Sequence, residues 1–251
     1  MTPSGQNRPD SETAEHIFAQ WFRLLLGAQT LSMFQATLTG ERQRVRRPPV
    51  NNLTMKRVCK LCNNGWMSDL EVAVEPIMRA IFQGKDIDKL GDPELKVVAK
   101  WSAKTAITLS YTTPQNARVP VQASRSLHPA YGGPEVRFAF LYSRLLADRP
   151  LENGHLQVVY GGEVGLVGTD EVPGTRFVLY VNGHALIIDF PPTAVGFRFN
   201  LTDSCASQLW PVRQAAGTRV LPVPLPTALP DLMLGLCRMI RVELDSNALR
   251  V

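Results

Sequence analysis

The apolar positions of this chain follow two rhythms, near 3.6 residues in its first 110 or so residues and near 2 thereafter. Over residues 15–36, Ile17, Trp21, Leu24, Leu25 and Ala28 recur at helical spacing. The stretch 40–57 holds Pro48-Pro49 and Asn51-Asn52, which suit a loop or a short hairpin. Ser68-Asp69-Leu70-Glu71 has the form of a capping box and predicts a helix running towards Gly84. Pro76 should disturb that helix unless it restarts there. Asp92-Pro93-Glu94 predicts a further helix start, with Asp as the cap and Pro first in the helix. Leu95, Val98, Ala99, Ser102, Ala106 and Leu109 then mark one face as far as about Tyr111.

Past Thr113 the texture alternates. Val136–Tyr142, Leu156–Tyr160, Phe177–Val181, Ala185–Phe190 and Val195–Asn200 read as strands, and Asn182-Gly183 between two of them is a hairpin signal. The Pro-rich residues 222–230 read as a connector before an apolar helical segment, Leu232–Met239. The expected class is α+β: helices beside a mainly antiparallel sheet.

Length and composition narrow this further. The 251 residues allow one large domain or two small ones. With 45% apolar and 20% charged residues, the chain is ordinary for a globular protein. No apolar run approaches the about 20 residues of a membrane span. Met1–Glu15 carries Asp10, Glu12 and Glu15 without an apolar run, so no secretory signal is expected and a cytoplasmic location is. Cys59 and Cys62 form a close pair, a metal knuckle or a redox pair, whereas Cys205 and Cys237 stand in apolar surroundings and read as buried small hydrophobes. His128, His155 and His184 read as loop residues, and Trp21, Trp66 and Trp101 as core.

Charge is unevenly placed. Residues 1–68 hold nine Lys/Arg against four Asp/Glu, and the remainder holds eighteen of each. The whole excess of +5 therefore lies early, in Arg42, Arg44, Arg46, Arg47, Lys56, Arg57 and Lys60. Such a stripe favours phosphate through counterion release, or marks a solvated basic loop.

Two segments carry a likeness: Glu15-His16-Ile17-Phe18-Ala19-Gln20-Trp21, and Val58-Cys59 through Cys62-Asn63-Asn64-Gly65-Trp66-Met67-Ser68. Together they resemble HNH endonuclease-like (ββα-metal) proteins, which pair an E-H-[IV]-x-P-x-W segment with a C-x-x-C-N-N-G-W-M-S knuckle. Ala19 stands where that group has Pro, and no cysteine precedes Cys59, so the first C-x-x-C of the group is absent. The helix from Asp92, with Trp101, Lys104 and Thr105, also resembles the segment that follows in those proteins, so the likeness is detailed over residues 14–110.

The resemblance implies a degenerate nuclease module over residues 1–85 and an α+β domain of unassigned role over 86–251. It implies His16 as the general base, oriented by Asn51 or Asn52, with Asn52 the choice. Glu15, Asn63 and Asn64 would hold a catalytic Mg2+ or Mn2+, since amide and carboxylate oxygens suit a hard ion. Cys59 and Cys62 would supply two of the four ligands that a structural Zn2+ takes. The remaining two are lost, supplied from upstream of Met1, or drawn from distant residues. The basic stripe would contact DNA phosphates. Two function classes follow: a metal-dependent endonuclease hydrolysing DNA phosphodiesters, and a catalytically inactive nucleic-acid-binding protein of the same descent.

Overall fold

The computed structural model of the chain describes residues 12–26, 31–36, 42–46, 48–112, 119, 123, 127–128, 139–146, 156–161, 175–181, 183–190, 197–200, 207–210, 223–224 and 241–244. The first half builds a strand–strand–helix unit from segments far apart in sequence. Strand β1 (Glu12–His16) pairs antiparallel with β4 (Thr54–Cys59), Glu12 opposite Cys59 and His16 opposite Thr54. Between them the chain forms α1 (Gln20–Leu26), β2 (Ser32–Ala36), β3 (Arg42–Arg46) and a 3-10 turn, Val50–Asn52. Among the described residues, the helical spacing over 15–36 therefore yields seven helical residues, Gln20–Leu26. Long-range strand pairing on either side overrides the local periodicity. β2 and β3 pair antiparallel, whereas the two strands within 40–57, β3 and β4, lie in different sheets, so the Pro48–Asn52 stretch links them as a loop and not as a hairpin turn.

From β4 the chain enters α2 (Lys60–Cys62), kinks at Gly65 within the turn Asn63–Met67, and continues as α3 (Ser68–Phe82). The capping box does not form. Met67 is the N-cap, no side chain caps the helix, and Glu71 is engaged elsewhere. Nor does Pro76 break α3. It is exposed, and the helix is held by Val74, Met78 and Ile81, which are buried on the other side. Packing thus outweighs the one hydrogen bond that Pro removes. The helix stops as predicted, at Gly84 with φ +104°, a conformation that only glycine adopts cheaply.

Helix α4 (Asp92–Ser110) starts one residue earlier than the Pro signal suggests. Gly91 is the N-cap, Pro93 the second helical residue, and Glu94 Oε2 accepts the Gly91 N–H at 2.9 Å. Its burial exceeds one face: every residue from Trp101 to Ser110 is buried. Two hydroxyls there bond back to the helix's own carbonyls. Thr108 donates to the Lys104 and Thr105 carbonyls at 3.1 and 2.9 Å, and Ser110 to that of Ile107 at 2.6 Å.

The second half is the sheet. Strands β5 (Ala139–Leu146), β6 (Leu156–Gly161), β7 (Thr175–Val181), β8 (His184–Phe190) and β10 (Ser207–Trp210) order as β10-β5-β8-β7-β6, and β2-β3 extend the row from β6. β2 joins β6 in parallel, and β11 (Val223–Pro224) joins β5 in parallel; the other pairs of this sheet are antiparallel. β9 (Phe197–Asn200) and β12 (Arg241–Leu244) form a separate antiparallel pair. The fold is α+β.

β7 and β8 form the predicted hairpin, turning at Gly183 with φ +89°; Asn182 lies outside the described residues. Every residue of both strands is buried, so this centre of the sheet is covered on both faces, with α4 packed against β5, β8 and β10. His184 is therefore a buried strand residue and not a loop one, its ring 5.3 Å from that of Phe82. Arg176 and Asp189 lie directly opposite in register and form a two-pronged ion pair, both contacts 2.6 Å. Among the described residues no helix is long and apolar enough to cross a membrane. His155, Cys205, Cys237 and Leu232–Met239 lie outside the described residues.

Candidate functional site

His16 is the last residue of β1, and the backbone fixes its surroundings. The next residue, Ile17, donates its N–H to Leu53 O at 3.0 Å, which ties the end of β1 to the 3-10 turn bearing Asn51 and Asn52. That turn is closed by the Asn52 N–H on Pro49 O at 3.0 Å, and both asparagines are exposed. The structure thus brings His16 and the Asn51-Asn52 turn together. Asn63 and Asn64 belong to the other end of the ribbon. β4 runs from Thr54, beside His16, to Cys59, beside Glu12, a span of about 17 Å at a strand's usual rise. The turn bearing the part-buried Asn63 and the exposed Asn64 opens there.

The His16 ring is half-buried, and its Nδ1 is sealed from solvent without a hydrogen-bond partner. Burial first, and the positive charge of Arg23 second, hold the imidazole below its usual pKa. Both causes favour the neutral ring. Arg23, on α1, has its own Nε buried without a partner, and it makes no ion pair among the described residues.

Cys62 is half-buried and disulfide-bonded, packed with Met55, Val58, Met67 and Trp66. The side chain of every other cysteine, Cys59 included, lies outside the described residues. A disulfide sulfur is not a thiolate ligand, so zinc at this knuckle requires it reduced. The Glu15 side chain also lies outside the described residues, among which no three His, Cys, Asp or Glu gather to hold a metal. The oxygen donors named for Mg2+ or Mn2+ suit such an ion by chemistry.

Of the basic stripe, Arg42, Arg44 and Arg46 lie on β3, in register with Ala36, Phe34 and Met33. β3 ends the row of the sheet and, among the described residues, is paired on one side only. An arginine-rich edge offers positive charge, and it also discourages unwanted strand addition. Lys56 and Arg57 lie on β4 and Lys60 is exposed at the start of α2. Arg47 and the side chains of Arg42, Arg44, Arg46, Lys56 and Arg57 lie outside the described residues.

One polar centre was not foreseen. The Glu71 carboxylate takes three donors: Trp21 Nε1 at 3.0 Å and Trp101 Nε1 at 2.9 Å on Oε2, and Lys104 Nζ at 2.7 Å on Oε1. Lys104 is only 2% exposed and Glu71 14%. This centre ties α1, α3 and α4 together. Its signal in the sequence was the set of donors: a buried indole N–H needs an acceptor, and Trp101 and Lys104 share one helix face.

No protein-family model matches the chain, and neither a curated protein nor a solved structure does.

Proposed function

We propose that the chain is a metal-dependent endonuclease of the HNH type, hydrolysing phosphodiester bonds in DNA. The observation that carries this reading is the placement of His16. A half-buried imidazole held below its usual pKa ends the first of two paired strands, the second strand leads directly into a helix, and the asparagine turn lies beside the end of the strand that bears it.

In this reading His16 accepts the proton of a water whose oxygen attacks phosphorus. The P–O bond opposite then breaks, and the leaving oxygen takes its proton from solvent. A base of depressed pKa is ready in its neutral form across the physiological range. Asn52, or Asn51, orients the ring. Glu15 would hold the Mg2+ or Mn2+ beside His16, and the ion would supply charge stabilisation on the phosphate oxygens, whereas Asn63 and Asn64, at the far end of β4, stand apart from that set. Arg42, Arg44, Arg46, Arg47, Lys56, Arg57 and Lys60 would bind flanking phosphates.

Plasmid nicking tests it. Cleavage that requires Mg2+ or Mn2+ and vanishes in His16→Ala supports the assignment; cleavage that survives His16→Ala sinks it.

The disulfide at Cys62 favours a second reading, an inactive nucleic-acid-binding protein of the same descent, because it occupies a sulfur assigned to zinc. Binding that falls steeply with salt, with no turnover under reducing or oxidising conditions, would select it.

A further inference from the structure

The disulfide at Cys62 is a covalent feature that hydrolysis of a phosphodiester does not use. Lys60 and Leu61, the two residues between Cys59 and Cys62, are both helical. Two helical residues bring the Cα atoms on either side of them to about 5 Å, inside the range that a disulfide spans. The backbone therefore holds Cys59 and Cys62 at bridging distance without help from another element. A bridge across two intervening residues is a poor staple, because the entropy it removes from the unfolded chain is smallest for the shortest loop. It also lies at a corner with access from solvent. Lys60 is exposed and Leu61 is 72% exposed, and Cys62 is only half covered where it packs on Met55, Val58 and Met67. Thiol–disulfide exchange needs such access for the attacking thiolate.

We propose that Cys59 and Cys62 form a thiol–disulfide exchange site whose co-reactant is an external thiol. A thiolate of the co-reactant attacks one sulfur of the bridge. The S–S bond breaks, a mixed disulfide forms, and the other cysteine leaves as a thiolate. A second co-reactant thiolate then attacks the co-reactant's own sulfur in the mixed disulfide and releases the second cysteine. Two thiols thus give up two electrons and two protons and leave as their disulfide, and Cys59 and Cys62 become thiols. An external disulfide drives the same steps backwards. The site is independent of the nuclease reading, since it uses neither His16 nor a bound ion.

The test starts with the native full chain, its free thiols blocked before digestion. Trypsin cuts after Arg57, Lys60 and Arg79, so the bridge should appear as peptide 58–60 joined to peptide 61–79. Cys62 joined instead to a peptide bearing Cys205 or Cys237 overturns the proposal. Glutathione is the probe for exchange. It should open the bridge of the folded chain within about tenfold of the rate for the urea-unfolded chain, because the bridge is reached without unfolding. A folded-state rate more than about a thousandfold slower means that the bridge opens only with the whole fold, and overturns the proposal. Oxidised glutathione should then restore the same joined peptides; failure to do so overturns it as well. Neither measurement needs a variant to fold. In Cys62→Ser, oxidised glutathione should leave one glutathione on Cys59, and in Cys59→Ser one on Cys62, because no second thiol resolves the mixed disulfide. Absence of both adducts counts against the site. A purified chain that carries zinc, with Cys59 and Cys62 free to react only after a chelator removes it, overturns the proposal in favour of the metal knuckle.

Discussion

Helix α1 touches two polar centres that differ in one respect. Through Trp21 it reaches Glu71, whose carboxylate is filled by two indoles and an ammonium. Two residues on, Arg23 neighbours His16, and there two nitrogens are buried with nothing to bond. Both centres cost free energy to desolvate. The first recovers that cost internally and needs no ligand, which is the signature of a structural joint. The second leaves two buried nitrogens without a hydrogen-bond partner, so its cost is not recovered by the fold. The contrast separates a polar centre that the fold satisfies from one that it does not, and neither identity nor burial alone would do so.

The largest effect should come from breaking the filled centre. Glu71→Ala leaves the Lys104 ammonium, 2% exposed, without its counterion and leaves two indole N–H groups without an acceptor. Removing one partner of a buried pair costs about 3–5 kcal/mol, so denaturant unfolding should show a loss of that order. A loss below about 1 kcal/mol would mean that the joint is looser than its distances imply, and would erase the contrast.

Glu71→Gln is the finer version. The amide keeps the shape and one acceptor but turns its NH2 towards a donor, and it removes the charge that Lys104 faces. About 1–3 kcal/mol should be lost, less than for Ala, because some of the bonds persist.

The two centres were unequally legible in the sequence. Glu71 was visible only as the fourth residue of Ser68-Asp69-Leu70-Glu71, where local chemistry suggests a cap. Its real partners are 50, 30 and 33 residues away, and a contact at that range is set by how three helices pack. The same limit explains β1 to β3. Their residues look helical in spacing or loop-like in composition, and only pairing with β4 and β6 makes them strands. The β7–β8 hairpin was legible to within two residues because its information is local: two apolar runs and a glycine that can take φ +89°. His16 was singled out by a neighbouring-residue pattern, whereas Arg23 carried no pattern. Its buried, unpaired Nε is set by packing, which no sequence displays.

For the unfilled centre, substitution should be nearly silent in stability. Arg23→Gln removes a half-buried cation that has no ion pair among the described residues, so unfolding should shift by no more than about 0.5 kcal/mol, or in the stabilising direction. A loss above about 2 kcal/mol would make Arg23 a structural residue and remove the difference from Glu71.

The smallest effect is the most direct reading of the His16 environment. Burial and the Arg23 charge depress the imidazole pKa in the folded chain, so the folded state favours the neutral ring. The unfolded chain takes up the proton first, near the ordinary value of about 6.5. The stability that His16 contributes through this difference is therefore complete above that pH, and it is lost as pH falls through the depressed folded value. Unfolding free energies of the native chain and His16→Gln, measured from pH 7.5 to pH 5, should converge or cross towards acid, other histidines cancelling in the comparison. Arg23→Gln should shrink this trend without abolishing it, because burial is the larger cause. A native chain that instead gained on His16→Gln towards acid would have its imidazolium stabilised, which points to a carboxylate partner such as Glu15. His16 would then be an ion-paired residue like Lys104, and the contrast between the two centres would collapse.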